Sequence, residues 1–333
     1  MEVKRRTAES LVKRLNSAAD ADSAAEAIAE IRLLSKHDPE IRSLLADAGA
    51  VPILAARLLP GGGHNSPPSQ ENAAAALLNI SISAGEGLMA TPGLLDALAA
   101  ALHPSSPTSA AAAQHAAATL YSLLTVDAYR PIIGSKRPLV ASLIALLHVP
   151  NPPNRFIKDA LKALFGVALY PLNRPAMVDL GVVPALFSLV VNDGRTGVVE
   201  DATAVIAQVA GCYESVDAFR NVAGVRVLVD LVDAGRGASG RASENAAAAL
   251  LNLVMSGGEE AAADVREIEV AETALRELAG GGSSARAKSK AESLLKALDG
   301  GRGGRLQRFA DFKTNSPPSS QLSTLSAATT VSN

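Results

Sequence analysis

The nine-residue stretch ENAAAALLN stands at residues 71–79 and again, unchanged, at 244–252. Three looser copies lie between them: QHAAATLYS at 114–122, KDALKALFG at 158–166 and EDATAVIAQ at 200–208. With the second residue of each as a marker, the series runs Asn72, His115, Asp159, Asp201 and Asn245, in steps of 43, 44, 42 and 44 residues. Such a regular period is the mark of a repeat architecture, in which each unit buries its apolar side only against its neighbours.

Every copy obeys one internal rule. Five and six residues after the marker come Leu77 and Leu78, Leu120 and Tyr121, Leu164 and Phe165, Ile206 and Ala207, Leu250 and Leu251. Eight after it stand Ile80, Leu123, Val167, Val209 and Leu253. With small residues at the first, second and fourth places, these offsets predict a helix buried around most of its circumference. The seventh place is the exception, holding Asn79, Ser122, Gly166, Gln208 and Asn252. Outward from these copies, Glu26 marks an upstream unit 46 residues before Asn72, and Ser289 a downstream one 44 after Asn245. Seven units result, and the outer two are atypical, as units that cover a stack against water should be.

A second punctuation recurs within the period. Gly49-Ala50-Val51-Pro52 returns as Gly181-Val182-Val183-Pro184, with weaker echoes beginning at Gly93 and Ala223. Glycine closes one helix where positive φ is required, and proline opens the next. Each unit therefore reads as a short helix, a sharp turn, a second helix ending near Leu59, Leu102, Leu147, Val191 or Val232, a polar loop and a long third helix. Composition agrees: 48% of residues are apolar but only 3% aromatic, with no Trp. Alanine and leucine favour helices that approach closely.

Charge is balanced, with 31 basic and 33 acidic residues, so no field favours nucleic acid or an anionic surface. One cysteine, Cys212, excludes an intrachain disulfide and points to a reducing compartment, cytosol or nucleus. The first 15 residues are charged throughout and lack the apolar run of a secretory signal. The charge-free stretch 97–126 contains Pro104 and Pro107 among serines, and is expected to be two soluble helices with a loop, not a membrane span.

The unit resembles the armadillo repeat, over roughly residues 22–299. Residues 36–59 (KHDPEIRSLLADAGAVPILAARLL) and 285–298 (ARAKSKAESLLKAL) are similar to the armadillo region of plant U-box ubiquitin ligases. The resemblance implies an all-α solenoid, a right-handed superhelix of three-helix repeats with the third helices on its concave face. It also implies that the seventh-place residues form a ladder gripping the backbone of a partner segment. Asn79 and Asn252 match that ladder, Gln208 and Ser122 can imitate it, and Gly166 and Leu33 cannot. An equally weighted alternative is that these amides satisfy the backbone of a neighbouring repeat. Import receptors of this fold carry Trp one turn earlier, where this chain has Ala75, Ala118, Lys162, Ala204 and Ala248, so an import-type adaptor is disfavoured. The U-box has no counterpart in the sequence. Ligase activity is therefore not carried over, and the chain is either an armadillo-only relative or a piece of a longer product.

Lys158 and Lys162, one turn apart and near Arg155, suit an acidic or phosphorylated partner segment or else a solvated helix start. Glu71, Glu200 and Glu244 open third helices, where a carboxylate suits the helix dipole. No histidine or cysteine stands at metal-ligand spacing, Gly61-Gly62-Gly63-His64 lacks the lysine of a phosphate loop, and Cys212 reads as a small packing residue. Neither catalytic residues nor cofactors are expected. Ser66, Ser106 and Ser316, each followed by proline, are candidate phosphorylation sites, and Arg302, Arg305 and Arg308 form a small basic cluster. The expected organisation is an N-terminal helix or cap at 1–21, six to seven repeats at 22–299 and a disordered tail at 300–333. The expected function is a protein-interaction scaffold with a groove at Asn79, Ser122, Lys158, Lys162, Gln208 and Asn252. The alternative is the substrate-selecting part of a U-box type ligase, with the ubiquitination machinery among its partners.

Overall fold

The structure, a computed structural model, describes residues 1–60, 66–103, 109–233, 235, 237–281 and 284–300. The expected glycine loop at 61–64, Ser106, the arginine cluster and Ser316 lie outside the described residues, as does all of the tail but Gly300. No strand occurs among the described residues.

The helices fall into the expected units. Helices α1 (Glu2–Asn16) and α2 (Ala21–His37) open the chain, followed by α3 (Pro39–Asp47), α4 (Ala50–Ala56) and α5 (Pro67–Met89). Next come α6 (Leu94–Leu102), α7 (Ala110–Leu124), α8 (Tyr129–Gly134), α9 (Arg137–Leu146) and α10 (Asn154–Ala168). A short 3-10 turn, Pro171–Asn173, leads into α11 (Arg174–Asp179), α12 (Val182–Asn192) and α13 (Thr196–Val209). The last are α14 (Ser215–Asn221), α15 (Gly224–Val232), α16 (Gly240–Arg266), α17 (Ala271–Gly280) and α18 (Ala285–Gly300). The seven marker-bearing segments are all third helices: α2, the first part of α5, α7, α10, α13, the first part of α16, and α18.

These third helices pack in unbroken succession, α2 on α5, then α7, α10, α13, α16 and α18. Behind them the second helices make their own contacts, α4 with α6 and α6 with α9, and α12 with α15 and α15 with α17. At one end α1 packs on α2, α3 and α4. Alanine sets the spacing. Ala73, Ala76, Ala116, Ala117, Ala160, Ala163, Ala246 and Ala249, all on third helices, are fully buried. The result is an all-α solenoid with one extended core.

The turns follow the predicted punctuation at three places: Gly49, Gly93 and Gly181 have φ of 87°, 77° and 82° and precede α4, α6 and α12. At the fourth, the left-handed residue is Ala223, with φ of 50°. Glycine is displaced by one position, to Gly224, because a Cβ there would lie 2.7 Å from Phe187 Cζ. In two places a third helix runs into the next first helix with a single non-helical residue between them, Ala84 in α5 and Gly258 in α16.

Among the described residues no single helix is long and apolar enough to cross a membrane. The charge-free stretch 97–126 is divided between α6 and α7, with Leu98, Ala101, Leu102, Ala116, Ala117 and Leu120 buried in the core.

Candidate functional site

The six expected site residues occupy consecutive third helices: Asn79 on α5, Ser122 on α7, Lys158 and Lys162 on α10, Gln208 on α13 and Asn252 on α16. Five are half-buried and Lys162 is exposed. The periodicity that fixes the core thus also strings them along one face.

The slot amides are already engaged. Asn79 Nδ2 donates to Arg32 O at 3.3 Å and to Ser35 Oγ at 3.1 Å, and Asn252 Nδ2 donates to Ala207 O at 2.8 Å. Arg32 and Ala207 both stand six places after the marker of the preceding repeat. Because a carbonyl only accepts, it is the amide nitrogen that turns toward the neighbouring helix. At Asn252 the reason is clear: Ala207 lies in the last turn of α13, whose final carbonyls have no donor within the helix. Ser256, one turn on, likewise donates to Ala210 O at 2.8 Å. The reading that these amides serve a neighbouring repeat therefore describes their N–H groups. Each Oδ1 accepts no hydrogen bond from the described residues.

The other slots differ. Gln208 Oε1 accepts from Arg174 Nη2 at 3.2 Å. Gly166 is closed off, since a Cβ there would stand 2.8 Å from Leu124 Cβ. Leu33 is exposed. At Ser122 the backbone oxygen accepts from Thr125 Oγ1 at 2.6 Å.

On α10 the cations have partners of their own. Lys158 Nζ lies 3.4 Å from Asp201 Oδ2, and Arg155 Nε 3.7 Å from Asp159 Oδ2. Lys162 Nζ is 3.8 Å from Asp159 Oδ1 and sits over the Tyr121 ring, 5.9 Å from its centroid. Asp159 is buried and accepts from Gln114 Nε2 across the repeat boundary at 3.1 Å.

The sixth place after the marker needs correction. Read from sequence as part of the buried stripe, it is exposed at Tyr121 and half-buried at Leu78, Phe165 and Leu251. Ile82 and Met255, a further turn along, are exposed as well. Apolar side chains thus flank the polar slot, a feature visible in the sequence only as the residue adjoining it.

Sequence reasoning also missed three arginines on first helices. Arg42, Arg130 and Arg174 donate from Nε to Ser35, Leu124 and Ala168 O, at 2.7, 3.1 and 2.9 Å. Each satisfies a terminal carbonyl of the preceding third helix and sets positive charge at its negative end. The glutamates expected to open third helices need correction: Glu71, Glu200 and Glu244 stand in the second turn of α5, α13 and α16, past the reach of the helix dipole, and pair across repeats instead. Glu200 Oε1 accepts from Ser239 Oγ at 2.8 Å and Glu244 Oε2 from Ser284 Oγ at 2.5 Å. Those serines cap the next third helices, accepting from Ala242 N and Ala287 N. Ser66 caps α5 in the same manner.

Two further groups have shifted acidity. Burial, then the nearby Arg32, holds His115 below its ordinary range. Burial pushes the Cys212 thiol up to about 11. Among the described residues no group of three or more His, Cys, Asp or Glu side chains is placed to hold a metal ion.

Residues 8–300 match the model of a family described as the plant U-box protein ARM repeat region. U-box domain-containing protein 16 of Arabidopsis thaliana is 32% identical over 273 residues, 81% of this chain and 38% of that protein. U-box domain-containing protein 17 of the same plant is 33% identical, covering 90% of this chain and 39% of its own length. The rice (Oryza sativa subsp. japonica) U-box domain-containing protein 4 is 31% identical, with 89% and 39% covered. The chain therefore spans less than half the length of these relatives. Among solved structures, an engineered protein superposes with a TM-score of 0.74 at 24% identity, covering 88% of this chain and 68% of that one. A designed armadillo repeat protein superposes with a TM-score of 0.51 at 22% identity, covering 87% and 99%.

Proposed function

Since the chain belongs to the ARM repeat region family of plant U-box proteins, we propose that it is a protein-interaction scaffold whose third-helix face holds a segment of another protein. One observation carries the reading. Along that face, side-chain carbonyls of Asn79 and Asn252 with no donor among the described residues stand beside exposed Ile82 and Met255 on α5 and α16, with exposed Tyr121 between them on α7. Hydrogen-bond acceptors beside apolar footholds are what an extended chain needs, its backbone N–H groups pairing while alternate side chains find purchase. A photo-crosslinking side chain at Ile82 or Met255 should join bound protein. One at Val191 on α12, equally exposed but at the other row of helices, should not. Crosslinks confined to Val191 would overturn the reading.

A second reading follows from the relatives, each named for a U-box domain. The array would select proteins for ubiquitination, with a U-box supplied by a longer product or by a partner. The chain alone, mixed with ubiquitin-activating and ubiquitin-conjugating enzymes, should build no ubiquitin chains; with a U-box joined upstream it should modify what it binds. Binding without modification in the joined protein would refute this second role. A cytosolic or nuclear location is proposed with it, resting on the single cysteine, and is tested by imaging a fluorescent fusion.

A further inference from the structure

We infer that the segment held on the third-helix face carries a carboxylate at its middle, seated on Lys162 against Tyr121, with an apolar side chain about six residues away on either side. This rests on the third-helix face being the docking surface.

The central unit supplies the charge argument. Arg155, Lys158 and Lys162 all stand on α10, facing two carboxylates, Asp159 and Asp201, that lie below the surface with side chains only 11% and 15% exposed. Lys158 is committed inward, its Nζ packed over Gly197 beside Asp201. Lys162 is not. Its side chain is 45% exposed, 3.8 Å from the nearest carboxylate oxygen, and donates no hydrogen bond to the described residues. An ammonium has three donors, and here the ring of Tyr121 holds it in place while those donors stay unspent. An incoming carboxylate gains a charge-assisted hydrogen bond and displaces none. A basic segment would instead meet three cations whose counter-charges are sunk.

The apolar positions fix the flanks. Leu78 and Ile82 form a pair one turn apart on α5, and Leu251 and Met255 form the matching pair on α16. Each pair is two third helices away from α10, on opposite sides. Packed helices lie roughly 10 Å apart, so each pair is about 20 Å from Lys162. An extended chain advances about 3.3 Å per residue and covers that distance in about six. Between the flanks, Ala118 on α7 and Ala204 on α13 put no bulky side chain in the way.

A fluorescein-labelled peptide of about 13 residues, with leucine at each end, glutamate at the centre and serine or threonine elsewhere, tests the inference by anisotropy with the full chain. The glutamate peptide should bind about fivefold tighter than its glutamine counterpart, and the gap should narrow as salt is raised. Lys162→Gln should bind both peptides alike, and Lys162→Glu should prefer a lysine-centred peptide. Equal affinity of the unaltered chain for the glutamate and glutamine peptides overturns the inference, as does no binding of the glutamate peptide at about 1 mM. The docking surface itself fails separately, if Ile82→Asp combined with Met255→Asp leaves peptide affinity unchanged.

Discussion

Residues 49–50 read Gly-Ala, and the matching residues 223–224 read Ala-Gly. Exchanging the latter pair brings the two units into line, and consensus reasoning expects a more stable protein. The structure predicts the reverse. Ala223 sits at φ of 50°, where glycine relieves about 1–2 kcal/mol of steric cost but loses about 0.5–1 kcal/mol to its greater freedom when unfolded. Ala223→Gly alone should therefore gain about 0.5 kcal/mol. Gly224→Ala places a Cβ 2.7, 3.0 and 3.2 Å from three edge carbons of Phe187. That ring is 3% exposed and meets Phe219 edge-on, with centroids 5.2 Å apart, so it cannot swing aside without giving up the contact. Overpacking of this kind costs about 1–3 kcal/mol. The exchange keeps one glycine and one alanine, so the unfolded-state term cancels; taking about 2 for the clash and about 1.5 for the relief, it should lower stability by about 0.5 kcal/mol. With a urea slope of about 3 kcal/mol per M, the midpoint followed by far-UV circular dichroism should fall by about 0.2 M, and that of Gly224→Ala alone by more. In a Phe187→Leu background the loss from Gly224→Ala should largely vanish. A midpoint at or above the parent's, or an undiminished loss in that background, would refute the reasoning.

Gly166→Asn, which installs a ladder residue in the closed slot, should cost about 2 kcal/mol in the same assay, because Leu124 Cβ is fixed to its backbone and cannot rotate away. An unchanged midpoint would mean that α7 and α10 stand further apart. His115 is held below its ordinary pKa of 6.5 chiefly by burial and Arg32, with Arg155 adding to the depression and Glu71 and Asp159 opposing it. As pH falls through about 6.5 the unfolded chain gains a proton that the folded chain refuses, so stability declines until the folded imidazole also protonates. His115→Gln should flatten that part of the profile; an unaltered slope would place the imidazole in water. With its thiol raised to about 11, Cys212 should react with iodoacetamide at pH 8 about 200-fold more slowly than a free cysteine. Denaturation in urea should abolish the difference, and rapid labelling of the folded chain would contradict the burial.

The marker period placed every third helix in the described chain, because a buried helix must repeat its apolar offsets whatever lies outside it. Gly49, Gly93 and Gly181 were legible for a similar reason: the backbone conformation alone demands them. Ala223 was not, since the residue that displaces glycine, Phe187, lies in the preceding unit. The same distance hid the engagement of Asn79 and Asn252, whose partners are 47 and 45 residues away. Arg42, Arg130 and Arg174 carried no signal of their own, as an arginine on a short helix reads as a solvated charge until the neighbouring helix end is in view. For the candidate site, sequence reasoning found the polar slot and the lysines but not the flanking apolar surface. Period alone does not separate a half-buried place from a fully buried one.

At Ala84 and Gly258 one non-helical residue is all that joins a third helix to the first helix of the following unit. The natural joint for shuffling this array is consequently not the edge of a repeat as the sequence delimits it. Residues 193–195, between α12 and α13, offer a longer span in which to cut and rejoin. A grafted or duplicated module would then start at a third helix and finish with a second helix, carrying its continuous corner intact.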